Sequence, residues 1–177
     1  MFPEDFAVGD INATDDFVGL LAAAEKVDGG SMAAYLAVGL FSGIRTAALE
    51  RIEWSAFKDG VIHVTAAIDK LRSARFVEIR PNLAAWILKY RGVGRVCPYA
   101  QKHAVEVLGD IRKKAGIGEW PKNAMRHSFA SYLLALVEDP GKVAHELGQR
   151  SPDVLFQHYR ALVTKALATK YFDLKPS

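Results

Sequence analysis

Residues 31–43, SMAAYLAVGLFSG, contain no charged side chain. A helix that is apolar on every side has no wet face to turn outward, so other elements must surround it. A bilayer span needs about 20 apolar residues; this run is shorter, and the other apolar runs are broken by charge or glycine. The stretch therefore predicts a packed domain built around one buried helix, capped by Ser31 and ended near Gly43. With 177 residues, half of them hydrophobic and a quarter charged, the chain supplies one such domain.

The flanking sequence supplies the packing partners. TDDFVGLLAAAEK offers Thr14 as an N-cap, acids in the first turn, and Phe17, Leu20, Leu21 and Ala24 at helical spacing. A short helix is expected from about Thr46 to Ile52. Asp59-Gly60 is a turn signal, and VIHVTAAI and RFVEIR are β-rich runs around a polar middle, DKLRSA, which predicts a small antiparallel hairpin or sheet. Pro81 suits a first helical position before NLAAWILKY. Ala104, Val107, Leu108 and Ile111 stripe the next helix, and Met125, Phe129, Tyr132, Leu133 and Leu136 another. Shorter helices are expected over 141–147 and 152–159, and a last one over about 161–171. The fold class is mainly α with a small antiparallel β-sheet (α+β). Residues 1–13 read as a tail or linker remnant and 14–177 as a single domain.

Several chemistries drop out. One cysteine, Cys97, excludes an internal disulfide framework and a Cys-based zinc site. The five histidines never fall at i,i+4 around a carboxylate, so no helical metal site is expected. DPGKV lacks the rest of a phosphate-binding loop, RGVGR is a turn, and G-x-S-x-G does not occur. With no leader pattern and no span, the expectation is a cytoplasmic protein without a membrane partner.

What remains is cationic. Residues 1–30 hold seven acids and one base, a net −6, so the other 147 residues carry +9. A basic body suggests a polyanionic partner. Arg45 stands where the buried helix ends and the next begins; it needs an anion, either a ligand or, in a purely structural role, Glu50 or Glu53. Lys70 and Arg75 bracket the hairpin tip, where a solvated turn is the default. Arg126 lies beside an apolar stripe and could be a core ion pair. In SPDVLFQHYRALV, Tyr159 sits between His158 and Arg160, as packing or as a nucleophile among cations.

Together GIRTAALERIEW, DKLRSARFVEI, NAMRHSFASYL and ELGQRSPDVLFQHYR resemble, in order and spacing, the four signature stretches of the tyrosine recombinase (phage integrase) catalytic domain, over roughly residues 14–163. The resemblance implies a site-specific DNA recombinase or integrase, the enzyme of a mobile genetic element, with Tyr159 as nucleophile forming a 3′-phosphotyrosyl link. It makes Arg45 and Arg126 the phosphate ligands and Lys70 the general acid that protonates the leaving 5′-oxygen. The catalytic set is completed by Asn123, Gln149 and Arg150, which stand where the pattern has histidine or tryptophan. Arg72, Arg75, Lys122 and His127 are the expected DNA contacts, in a basic groove that excludes the acidic first thirty residues. The acid usual three residues after the first arginine is Ala48 here. No cofactor and no metal are implied. The partners implied are double-stranded DNA and, for the full-length protein, a homo-oligomer (tetramer) on DNA, placed at the nucleoid when bound. An N-terminal DNA-binding domain is expected outside this chain. The altered histidine positions leave a second reading, a degenerate relative that binds DNA without cleaving it. A type IB topoisomerase is a weaker third.

Overall fold

The computed structural model describes residues 13–69, 74–153, 155 and 163–177. The described helices are α1 Ala13–Lys26, α2 Ala33–Ser42, α3 Thr46–Leu49, α4 Pro81–Tyr90, α5 Gln101–Lys114, α6 Ala124–Val137, α7 Pro140–Leu147 and α8 Lys165–Tyr171. The strands β1 Phe57–Lys58, β2 Val61–Val64 and β3 Arg75–Glu78 form one antiparallel sheet in the order β1-β2-β3. The mainly helical class with a small antiparallel sheet is the one the sequence predicts.

All ten residues of α2 are buried, and α1, α4 and α6 pack around them. Gly39 lets α6 come close: a Cβ there would stand 2.4 Å from Met125 Sδ. At its C-terminus, Gly43 takes a left-handed conformation with φ +64°, and a Cβ there would meet Phe129 Cδ1 at 2.4 Å. Only glycine satisfies both demands. Two expected caps move. α1 starts at Ala13, so Thr14 lies inside the helix. α2 starts at Ala33, and the Ser31 hydroxyl donates instead to Asp28 at 3.0 Å.

Asp59 and Gly60 both take positive φ, +53° and +77°, the geometry of a two-residue hairpin turn. That turn pairs β1 with β2, adding a two-residue strand before the expected hairpin of β2 and β3. Ile62, Val64 and Val77 face the core, while His63 and Phe76 stack on the outer face with centroids 4.7 Å apart. The first expected strand stops at Val64, because Thr65–Asp69 closes into a turn on the Thr65 carbonyl.

The last helix completes the core. Tyr171 is wholly buried, donates its hydroxyl to the Leu40 carbonyl of α2, and stacks on Tyr132 with centroids 4.1 Å apart. A second, smaller cluster joins Phe129, Leu133, Val143, Leu147 and Leu155. Of the expected helix over 152–159, Asp153 and Leu155 are helical; Ser151 Oγ accepts from the Asp153 N–H at 3.1 Å, and residues 154 and 156–159 lie outside the described residues. Among the described residues, no helix is long and apolar enough to cross a membrane.

Candidate active site

Three arginines meet where the C-termini of α2 and α7 approach the sheet. Arg126, in the first turn of α6, is 5 % exposed. Its Nη1 donates to the Gly43 carbonyl at 2.8 Å and its Nη2 to the Leu147 carbonyl at 2.9 Å. The last carbonyls of a helix lack intrahelical donors and carry partial negative charge. A guanidinium between two helix C-termini therefore finds acceptors in the backbone itself, which helps to account for its burial. A phosphate ligand, the role the resemblance implies for Arg126, calls for an accessible guanidinium, and this one is buried.

Arg45 is two residues beyond Gly43. Its extended backbone (φ −60°, ψ 142°) starts α3, and its side chain is 18 % exposed. Neither Glu50 nor Glu53 is the partner that spacing suggests. Nη1 donates to Asp69 Oδ1 at 2.9 Å. The other oxygen, Oδ2, takes Nη1 of Arg75. Asp69 is 1 % exposed at its side chain and so bridges two guanidiniums out of water.

Arg75 is likewise corrected. An outward DNA contact was expected, but it is 8 % exposed, with Nε on the Glu146 carbonyl at 3.2 Å and its stem against Gly148. Burial pulls its pKa down, and the hydrogen bond it donates to Asp69 opposes that shift. The reason lies in the register: opposite Val64, position 75 faces the core side of β3.

Glu146 also anchors the end of α7. Its carboxylate takes both Nη groups of Arg80, at 2.6 and 2.8 Å. The Arg80 guanidinium lies 5.5 and 5.4 Å from the Phe129 and Phe172 ring centroids. This buried pair sets the turn that presents Leu147 to Arg126 and Gly148 to Arg75. Asp69, Arg80 and Glu146 were not read from the sequence as site residues. The one available signal was Asp69 standing directly before Lys70.

The remaining expected residues divide. Asn123 caps α6 in a left-handed conformation (φ 58°), half-buried, and Lys122 beside it is exposed. Gln149 is half-buried; its N–H bonds the Ala144 carbonyl at 2.8 Å, and its side-chain oxygen is buried without a hydrogen-bond partner. Arg150 and His145 are exposed. His127 is 3 % exposed, so it is not a surface DNA contact; burial, and then the Arg126 charge, lower its pKa to about 4 and keep it neutral. Lys70, Arg72 and Tyr159 lie outside the described residues. Tyr171, the other tyrosine late in the chain, is buried with its hydroxyl engaged, and burial holds its pKa well above the ordinary value, which suits a core residue and not a nucleophile.

No family model and no curated protein matches the chain. Solved structures do. The catalytic domain of bacteriophage HP1 integrase superposes with a TM-score of 0.69 at 21% identity, covering 86% of this chain and 87% of that one. XerA recombinase gives 0.68 at 21% identity, covering 94% of this chain and 63% of XerA. A lambda integrase fragment, residues 75–356, crystallised as a dimer bound to a COC′ core site, gives 0.65 at 16% identity, covering 84% and 58%. The chain thus spans less than two thirds of the XerA and lambda integrase chains, and at these identities the likeness is one of fold.

Proposed function

We propose that this chain, whose fold is that of the tyrosine recombinase catalytic domain, breaks and rejoins DNA as the catalytic domain of a site-specific recombinase. The observation that carries the reading is the pairing of Arg45 and Arg126 across one helix junction. Arg126 holds the Gly43 carbonyl, and Arg45 follows two residues later with a partly exposed guanidinium. Forked guanidiniums match the non-bridging oxygens of a phosphodiester, on which charge builds in the transition state. The reading is supported further by the basic balance beyond residue 30 and by the DNA core site in the lambda integrase structure.

In this reading the Tyr159 oxygen attacks the phosphorus and gives up its proton to solvent water as the new bond forms. The bond from phosphorus to the 5′-oxygen breaks, and Lys70 supplies the proton that oxygen needs. The product is a 3′-phosphotyrosyl link and a free 5′-hydroxyl; attack by a second 5′-hydroxyl reverses the step on a new strand. Tyrosine ordinarily titrates near pH 10, so nearby cations favour the phenolate. Bond energy is kept in the covalent link, and no cofactor is called for. Double-stranded DNA is the partner, with a tetramer on DNA and a separate DNA-binding domain belonging to the longer protein.

The second reading, DNA binding without cleavage, is favoured by the altered histidine positions. Asn123, Gln149 and Arg150 cannot shuttle a proton near neutrality, and His127 is buried and neutral. A pool of nicked duplexes of random sequence decides between the readings, because a nick next to the cleaved bond traps the covalent adduct. Adduct formed by the parent chain and abolished in Tyr159→Phe supports cleavage. DNA retained without adduct in both proteins supports the degenerate relative, and adduct that persists in Tyr159→Phe refutes the nucleophile.

A further inference from the structure

We propose that Asp69 is a positioning residue, holding the Arg45 guanidinium in the orientation in which it meets a phosphate; this rests on the recombinase reading above. An arginine side chain gives up about 2 kcal/mol of rotamer entropy when fixed. A partner that fixes it beforehand spares the ligand that cost. Asp69 fits the task because it is itself immobile. Its N–H bonds the Thr65 carbonyl at 3.2 Å, its second oxygen is held by Arg75, and the carbonyl before it, of Ile68, accepts from Arg51 Nη2 at 2.6 Å. The carboxylate is thus fixed by a turn, a strand and a residue next to α3, and it presents Oδ1 to the more exposed Arg45. No acid on α3 competes: the position one turn on from Arg45 is Ala48, which is buried.

The charge count supports a binding role over simple neutralisation. One carboxylate shared by two guanidiniums leaves a net positive charge at the junction, so an arriving phosphate meets attraction and not a closed pair. Asp69 holds the fork through Nη1, one nitrogen of the three that carry its five N–H donors.

The test needs no cognate DNA. Arginines are modified with phenylglyoxal with and without inorganic phosphate, and labelling is read residue by residue by mass spectrometry. In the parent, Arg45 should label slowly and phosphate should protect it. Asp69→Asn keeps the shape and removes the charge; Arg45 labelling should rise about tenfold, the ratio for a loss of about 1.4 kcal/mol, and phosphate should no longer protect it. Buried Arg80 and Arg126 should stay unlabelled, whereas general loosening would expose them too. If Asp69→Asn does not fold because the Arg75 charge has lost the Asp69 carboxylate, the double variant Asp69→Asn/Arg75→Met removes that charge and the same reading is made on it. Protection in the parent that persists unchanged without the Asp69 charge overturns the positioning role alone. No phosphate protection of Arg45 in the parent overturns the phosphate site itself, and the positioning role with it.

Discussion

Two arginines that read alike in the sequence occupy opposite environments, and their substitutions should part company. Arg126→Ala strips charged donors from two buried carbonyls, those of Gly43 and Leu147, and should cost about 3 kcal/mol or more. Arg45→Ala leaves Asp69 paired with Arg75 and should cost only about 1 kcal/mol. Urea unfolding separates the two; equal costs would contradict the described burial. The cations were legible because a guanidinium in an apolar stretch demands a partner, but the partners were not. Asp69 lies 24 residues from Arg45 and 6 from Arg75, with no periodicity linking them. Backbone carbonyls, the acceptors Arg126 uses, carry no letter in a sequence at all.

Helices with a strong apolar stripe were legible in the sequence, α4 from its Pro81 start and α5 and α6 from the stripe alone, since each buries one face or more. β1 was not, because two residues hold too little pattern, although its Asp-Gly turn was visible. Nor was the role of α7, whose sequence reads as a plain amphipathic segment while its C-terminus organises the arginines. The Arg80–Glu146 pair that pins it gives a clean prediction. Glu146→Ala leaves the buried Arg80 guanidinium with only the more distant and exposed Glu78 carboxylate, 3.7 Å away, and should cost about 3 kcal/mol, whereas Arg80→Met/Glu146→Leu together should fall near the parent. A thermal melt of the single and double variants checks it. The double variant melting as low as the single one would show that the pair contributes more than charge balance.

The molecule as a whole should lose stability in acid in two stages. His127 is held neutral with a pKa near 4 against an ordinary 6.5. The unfolded chain therefore binds this proton first, so its contribution is complete above pH 6.5 and lost as pH falls to 4. Glu25 follows lower down. Burial raises its pKa, but hydrogen bonds from Ser177, Tyr90 and Lys89 outweigh that and bring it to about 2 from 4.5, so its contribution is lost between those values. Melting temperatures between pH 7 and 4 should decline in the parent and decline less in His127→Gln; parallel slopes would place the proton elsewhere. The sequence predicts a last helix over about 161–171, but not that the last described helix fills the centre, since apolar residues do not name their neighbour. That docking bears on synthesis. Leu40 is translated long before Tyr171, the side chain that closes over it. A nascent chain that has emerged only as far as α7 holds the wholly apolar α2 with one side uncovered. The domain is expected to fold after residue 171 has cleared the ribosome, and in the meantime the exposed flank of α2 is a surface for a chaperone to cover.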